Sequence, residues 1–213
     1  LALFGKEDEN HKIEIAALND LKDGLDTVSA ERKSDEILKL FTAPNLKYSI
    51  FLMEKANISS KIFDAYDYES LSNLKKFEDR FEVAPCATRR LAAYTDDDLK
   101  SNLRFSNKLV KAHKVLREEA KSQKDAAELS YRYNEKIALD SILVRSSLNG
   151  TEPSENVFSR IKLGSVSKFP VKSSDLTEYF SGPKLGEMLA YLEQKWIESD
   201  FTLNKKKLVV SVR

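Results

Sequence analysis

Apolar residues recur at three- and four-residue intervals along most of this 213-residue chain, which is the spacing that buries one face of an α-helix. With six Gly and five Pro, the sequence has few of the residues that punctuate strands and turns. Hydrophobic residues make up 41% and charged residues 32%, a composition typical of a globular rather than a disordered protein. The sequence therefore predicts an all-α fold, with a multi-helix body and a small helical C-terminal tail domain.

Capping residues mark several helix ends. Ser29 is a predicted N-cap for a helix that stops at Pro44, and Ser106 is the predicted N-cap of a long helix. A helix is also predicted over 95–103, with its acidic triplet in the favourable first turn. The stretch 151–171 is predicted to be a linker or a loop-rich connection. Two further boundary predictions are a C-terminal cap at Gly24 and a helix start at Asn45.

Net charge divides unevenly along the chain. Residues 101–213 hold 20 basic and 14 acidic side chains, a net of +6, and residues 1–100 hold 15 basic and 20 acidic, a net of −5. A basic C-terminal half suits a protein that binds a polyanion. Ordinary solvated helix faces explain the same excess, so charge alone leaves both interpretations open.

Several classes of chemistry have no support in the sequence. Cys86 is the single cysteine, and with only His11 and His113 no cluster has zinc-ligand spacing. There is no phosphate-binding Gly-rich loop, no nucleophile elbow and no metalloprotease motif. No apolar run reaches the length of a membrane span. We therefore predict no catalytic residue, no metal site and no membrane partner, and we expect a cytoplasmic location.

The segment 182–187, Gly-Pro-Lys-Leu-Gly-Glu, precedes an amphipathic run and predicts a tight turn that leads into a helix. Pro183 suits the first helical position, where a missing N–H costs nothing. The glycines allow close approach of the backbone, and the orphan amides beside Lys184 form a potential phosphate site. Most such helix starts bind nothing, so this motif is weak in isolation.

Three segments, read in order, resemble one family. Residues 28–45 contain Ser-Ala-Glu-Arg-Lys-Ser-Asp-Glu-Ile-Leu-Lys-Leu-Phe and end in Pro-Asn; residues 103–107 read Leu-Arg-Phe-Ser-Asn; and residues 169–203 carry Phe-Pro-Val-Lys, Asp-Leu, Gly-Pro-Lys-Leu-Gly-Glu and Trp-Ile. These resemble the neck, body and tail of bacterial tRNA nucleotidyltransferases (CCA-adding enzymes) and their poly(A) polymerase relatives. The resemblance implies a neck fragment at 1–45, a helical body at 46–150, and a linker with a helical tail at 151–213.

The same family begins with a catalytic head that carries an Asp-x-Asp pair, and its motifs do not occur in this sequence. The resemblance therefore implies a chain that starts inside the neck and does not add nucleotides alone. Mg²⁺ and CTP or ATP would belong to the head, so no cofactor is expected in this chain. Two-metal phosphoryl transfer depends on those carboxylates.

The resemblance also assigns residues to roles. It implies contacts with the RNA backbone in the tRNA acceptor–elbow region, made by Lys172, Gly182, Pro183, Lys184 and Gly186, with Arg104 and Lys108 as lesser candidates. It implies a buried structural role for the neck residues Glu31, Arg32 and Glu36, and Trp196 is expected in the core. The expected partners are tRNA or another structured RNA and a separately encoded head. A stand-alone RNA-binding module and an inactive remnant are the alternatives, and the sequence does not choose CCA addition over poly(A) synthesis.

Overall fold

The computed structural model describes residues 11–44, 46–101 and 103–212. Over these residues the chain forms α-helices and two short 3₁₀ helices, Lys22–Thr27 and Ser173–Asp175, and no β-strand, which confirms the all-α prediction. The helices are α1 (His11–Leu21), α2 (Ala30–Thr42), α3 (Leu46–Lys55), α4 (Ser59–Ile62), α5 (Tyr68–Arg80), α6 (Ala87–Tyr94), α7 (Asn107–Lys121), α8 (Ala126–Arg132), α9 (Glu135–Asn149), α10 (Val157–Val166), α11 (Pro183–Glu198) and α12 (Lys205–Val210). None of the described helices is both long and apolar enough to cross a bilayer.

The chain divides into two compact units. The first unit comprises the residues up to Lys124 together with Leu139–Glu155, and the second comprises Asp125–Ala138 and the residues from Asn156 onward. Helix α9 contributes its first residues to the second unit and the remainder to the first. The neck, body and tail boundaries drawn from the sequence stay a prediction.

Two of the predicted caps form as expected. The Ser29 hydroxyl accepts a hydrogen bond from the Arg32 amide at 3.4 Å, and the Ser106 hydroxyl accepts one from the Leu109 amide at 3.3 Å. Each serine satisfies an amide that has no partner within its helix. Helix α2 ends at Thr42, two residues before the proline that cannot continue it. Asn45, the predicted start of the next helix, lies outside the described residues.

The core of the first unit is built around aromatic side chains from three segments. Three aromatic side chains are almost fully buried: Phe41 of α2, Phe63 just after α4, and Tyr94 of α6. Their ring centroids lie 5.3–6.5 Å apart, in tilted and edge-to-face arrangements. Such pairs add stabilisation beyond the apolar area that they bury. These contacts hold α2 on the same core as α6.

A buried network of charges lies beside this core. Glu78 of α5 accepts hydrogen bonds from both Arg89 and Arg90 of α6, at 2.6 to 3.0 Å, and Asp140 of α9 accepts one from Arg89 at 2.6 Å. The Arg90 guanidinium also donates to backbone carbonyls at the end of α2, including that of Phe41 at 2.9 Å. Two cations and two carboxylates compensate one another, as buried ions require. The network therefore fixes where α2, α5, α6 and α9 meet.

The helix predicted over 95–103 is wrong, because the described part of this stretch is not helical. Thr95 does not form a capping box: its hydroxyl donates to the carbonyl of Ala65 at 2.6 Å and accepts from the amide of Asp97 at 3.1 Å. The Asp97 carboxylate accepts the amides of Asp64 and Ala65 at 2.7 and 3.0 Å. These side chains serve a loop about thirty residues away, and this competes with local helix formation.

Asp96, in the same acidic triplet, is engaged elsewhere. Its carboxylate accepts hydrogen bonds from Arg117 and Lys121 of α7, both at 2.9 Å. The hydrogen bond from Arg117, with that from Lys121 and their charges, lowers the pKa of Asp96 to about 2. Asp96 and Asp97 thus make tertiary contacts, whereas Asp98 accepts the nearby amide of Lys100 at 3.0 Å, and the triplet does not start a helix.

Two other boundary predictions are also corrected. The stretch 151–171 contains helix α10, and Gly24 lies within the first 3₁₀ helix instead of capping α1. Gly164 of α10 packs directly on the backbone of Ala127 in α8, where an added Cβ would lie 1.9 Å from the carbonyl oxygen. The glycine therefore serves close helix packing and not a loop.

The second unit has its own apolar core, centred on α11. Trp196 is 3% exposed, as expected of a core residue, and its ring contacts those of Tyr131, Phe169 and Phe201 at centroid distances of 4.9–5.6 Å. The Tyr131 hydroxyl lies 2.5 Å from the carboxylate of Glu193. Buried leucine, isoleucine and valine side chains from α11, α12 and the segment before α11 complete this cluster.

Candidate nucleic-acid interface

The predicted phosphate turn forms the start of α11 on the surface of the second unit. Gly182 is the N-cap with φ +56° and ψ −140°, a backbone conformation that favours glycine, and Pro183 takes the first helical position. Gly182, Pro183, Lys184 and Gly186 are all exposed. The turn and the proline position agree with the sequence prediction, and this sixteen-residue helix presents Lys184 in its first turn.

Gly186 does not serve close approach of another group. A Cβ added at this position would meet nothing within 4 Å, and its φ is not in the left-handed region. Gly182 also has open space around it, so its requirement for glycine comes from φ alone. Both glycines are therefore exposed with no close neighbour in the described protein, and the approach of a phosphate to them stays a prediction.

Lys172 lies at the other exposed turn of this unit. Its amide donates to Asp175 Oδ2 at 2.8 Å, and Asp175 Oδ1 lies 2.5 Å from Nζ of Lys205 at the start of α12. The hydrogen bond from Lys205, followed by that from the Lys172 amide, lowers the pKa of Asp175. Asp175 thereby brings Lys172 beside the run Lys205–Lys207, which the sequence interpretation missed although three successive lysines are visible in it.

The lysine-rich surface of the second unit also contains a cavity. Its volume is about 520 Å³, and it is lined by Asp175, Lys205, Lys206, Val209 and Val210. Among the described residues, ion pairs are formed by Lys205 but not by its exposed neighbours Lys206 and Lys207. Exposed lysines without a carboxylate partner are available to phosphate groups.

Arg104 and Lys108 belong to the first unit. Arg104 has a left-handed backbone, φ +39°, and its Nη1 lies 2.7 Å from Glu31 Oε1, with both side chains mostly exposed. Lys108 and Lys111 are exposed on α7, three residues apart, and have no ion-pair partner in the part of the chain that the structure describes. The sequence interpretation missed Lys111, although its spacing from Lys108 is the signal that places the two on one face.

The neck residues are not buried in this chain, and the structural role at the base of a head that the family resemblance implies stays a prediction. Glu31, Arg32 and Glu36 are all exposed, because the buried face of α2 consists of Ser34, Ile37, Leu40 and Phe41. Glu36 forms an ion pair with Lys39 at 2.7 Å. Their positions on α2 make them surface residues of the first unit.

An apolar groove lies beside these exposed cations. It has a volume of about 460 Å³ and is lined mainly by aliphatic side chains, with Lys22, Arg32, Lys33 and Glu36 as its charged residues. The aliphatic residues are Leu18, Leu21, Leu25, Val28, Ile37, Leu40, Met53, Ile58 and Ile62. Leu21 is 73% exposed, an unusual position for a large aliphatic side chain.

The predicted RNA contacts thus fall in two places. Five of them, Lys172 and four residues of 182–186, lie in the second unit, whereas Arg104 and Lys108 lie in the first. No group of three or more His, Cys, Asp or Glu side chains is arranged to hold a metal ion among the described residues. The exposed lysines and arginine among these residues are of the kind that contacts phosphate groups.

Residues 14–69 match a family model described as "Probable RNA and SrmB- binding site of polymerase A". The matched segment runs from α1 to the first turn of α5 and contains all of the residues that line the apolar groove. This match agrees with the resemblance drawn from the Ser-Ala-Glu-Arg segment and indicates an RNA-binding region of the polymerase A type. A search of curated protein sequences gave no significant match.

Proposed function

We propose that this chain is the RNA-binding body and tail of a tRNA nucleotidyltransferase or poly(A) polymerase-like assembly. It would hold the acceptor–elbow region of a tRNA while a separate head adds nucleotides to the 3′ end. The single observation that carries this proposal is the match of residues 14–69 to the RNA-binding segment of polymerase A. The ordered tail motif at 182–187 supports the extension to tRNA.

The charges of the chain suggest a division of labour. The matched segment holds seven basic and eleven acidic side chains, a net of −4, so its net charge adds no long-range attraction for RNA phosphates. The second unit holds twelve basic and nine acidic side chains, a net of +3. We infer that most phosphate contacts come from Lys172, Lys184 and the Lys205–Lys207 run, with Arg104 and Lys108 contributing from the first unit.

Recognition in this proposal depends on RNA shape and phosphate position. Lysines on exposed turns and on α12 make point contacts to phosphates, which position a nucleic acid but carry little sequence information. A-form RNA is mostly recognised in this way, through its backbone and its 2′-hydroxyls. Mg²⁺ and CTP or ATP would be bound by the head, and this chain would not add nucleotides alone.

A tRNA-binding assay at low salt, followed by CTP and ATP incorporation with and without an added head, tests the proposal. We expect binding that weakens steeply with salt, and incorporation only when a nucleotidyltransferase head is supplied. Failure to bind tRNA at low salt would contradict the proposed RNA binding. Nucleotide incorporation by the chain alone would contradict the proposal that it needs a separate head. Binding without any stimulation by a head would favour a stand-alone RNA-binding module.

Substitutions locate the phosphate-binding lysines in the same assay. Lys172→Ala and Lys184→Ala should each weaken tRNA binding and reduce the slope of log K against log salt by about 0.7–0.9 for each phosphate that the lysine neutralises. Lys39→Ala is a matched control, because Lys39 is exposed but is already paired with Glu36. An equal effect of all three substitutions would indicate general charge attraction instead of a defined surface.

Protein docking is a second candidate function, and the apolar groove favours it. The groove lies within the matched segment, whose description names SrmB as well as RNA. We infer that the aliphatic lining would take apolar side chains of such a protein, with Lys22, Arg32 and Lys33 facing its acidic residues. Leu21→Glu should then abolish capture of purified SrmB and leave tRNA binding unchanged, whereas unchanged capture would argue against this use of the groove.

A further inference from the structure

Tyr191 is an exposed aromatic side chain on α11, the helix that carries the buried Trp196. It is 54% exposed, whereas Leu192, Trp196 and Ile197 of the same helix are at most 7% exposed. The tyrosine therefore lies on the side of α11 away from the core of the second unit. Trp196, the other aromatic residue of α11, is inaccessible to any ligand.

Two lysines flank Tyr191 on the same face of α11. Lys195 follows by four residues, and its Nζ lies 5.8 Å from the centroid of the tyrosine ring. Lys184 precedes by seven residues, which is close to two full turns and about 10 Å along the helix. This side of α11 thus presents Lys184, the Tyr191 ring and the half-buried Lys195, with the exposed carboxylate of Glu187 between Lys184 and the ring.

We propose that Tyr191 is a stacking platform for an unpaired base of the bound RNA, with Lys184 and Lys195 binding the adjoining phosphates. This inference rests on the proposed RNA-binding function and names a contact within it. Proteins that bind single-stranded RNA combine aromatic rings, on which bases stack, with cations that follow the backbone. A tyrosine ring supplies a rigid surface with few rotatable bonds, so little conformational freedom is lost on binding.

The proposal extends the predicted phosphate turn. Lys184 belongs to the turn at 182–186, so a strand whose phosphate contacts this turn would continue along α11 toward Tyr191. The unpaired strand would then be read by stacking, which tolerates any base, and not by hydrogen bonds to base edges. The expected ligand is an RNA with a single-stranded segment beside a helical one.

Binding assays with Tyr191 variants test this proposal on the full chain. We expect Tyr191→Ala to weaken binding of a short unpaired RNA roughly tenfold, whereas Tyr191→Trp retains it. Binding of a blunt duplex and the salt slope should be unchanged, since no charge is removed. A 2-aminopurine base in the unpaired RNA should be quenched by the parent chain and not by Tyr191→Ala.

Tyr179→Ala is the matched control, because Tyr179 is 41% exposed in the same unit but lies outside α11. The fluorescence of the buried Trp196, the single tryptophan, reports whether each variant folds. Equal binding of unpaired RNA by the parent and Tyr191→Ala would overturn the stacking role, as would an equal loss for unpaired RNA and duplex. If the parent binds neither RNA, the proposed function itself fails.

Discussion

Glu78 and Arg90 form an ion pair of 2.7 Å, Oε2 to Nη2, in which both side chains are at most 2% exposed. Arg89 shares the same carboxylate, so two buried cations depend on one residue. Because an ion left without its partner in the interior keeps the full cost of desolvation, this carboxylate is central to the stability of the first unit.

Glu78→Gln should lower the free energy of unfolding by about 3–5 kcal/mol, since it leaves excess positive charge buried. Urea unfolding followed by far-UV circular dichroism measures this change. Glu69→Gln, an exposed carboxylate on the same helix, is the control and should have little effect. Similar losses for the two variants would mean that the buried network does not carry this stability.

Glu54→Gln should stabilise the protein at neutral pH. Glu54 Oε1 is buried with no hydrogen-bond partner among the described residues, and burial raises the pKa of this carboxyl group. Because the pKa of Glu54 is higher in the folded than in the unfolded protein, its protonated form favours folding. This contribution is complete below the unfolded-state pKa and is lost as pH rises through the folded-state pKa. Removing the charge should therefore raise the free energy of unfolding at pH 7 and flatten its pH profile above the unfolded pKa of this group.

Unfolding free energies measured from about pH 2 to 8 check this expectation for Glu54 and reach the acid side, where Glu36 titrates. Glu36→Gln is the contrasting variant, because the hydrogen bond from Lys39 lowers the pKa of Glu36. Its contribution is present above the unfolded pKa and is lost on acidification, so the two substitutions should change opposite sides of the profile. If the free energy of unfolding changes with pH in the same way for Glu54→Gln and the parent, the charge on Glu54 does not destabilise the folded protein.

Gly182→Ala and Gly186→Ala should change stability in opposite directions. Alanine at Gly182 would be forced into φ +56°, ψ −140°, which costs about 1–3 kcal/mol. Alanine at Gly186 replaces a helical glycine in open space and should stabilise by about 0.5–1 kcal/mol. Urea unfolding monitored by Trp196 fluorescence measures both, and destabilisation by Gly186→Ala would show that this position has a packing role.

Glu31→Gln should tighten RNA binding, and Arg104→Ala should weaken it. Hydrogen bonds from its own amide and from Arg104 lower the pKa of Glu31, so this carboxylate is charged at neutral pH and competes with phosphate for the guanidinium. Glu36→Gln removes the same charge from the same helix without touching Arg104. Titrations at low salt should show a larger gain for Glu31→Gln than for Glu36→Gln; equal gains would exclude Arg104 as a phosphate contact.

Local chemistry explains which elements could be predicted. Ser29 and Ser106 cap helices, and Pro183 starts one, because each acts on amides within three residues of itself in sequence. The 95–103 prediction was wrong for the converse reason: Thr95 and Asp97 bind the backbone of residues 64–65, which no local pattern reveals.

The same distinction between local features and distant contacts applies to the candidate site. The turn at 182–186 and the lysines near it were visible in the sequence, and Lys205–Lys207 could have been found from its charge run. The ion pair of Arg104 with Glu31, 73 positions apart, was not visible. The burial of Trp196 was expected from the sequence, but the exposure of Tyr191 was not, since it depends on which face of α11 packs on the core.

The sequence by itself determined the all-α class, most helix positions and the resemblance to the polymerase A segment, because periodicity, caps and motifs act over a few residues. Only the tertiary structure decided that Glu31, Arg32 and Glu36 are exposed, and that Glu78, Arg89, Arg90 and Asp140 are buried together. Charged residues carry no mark of their burial in the sequence. Whether a charge faces water or a partner is set by helices brought together from distant parts of the chain.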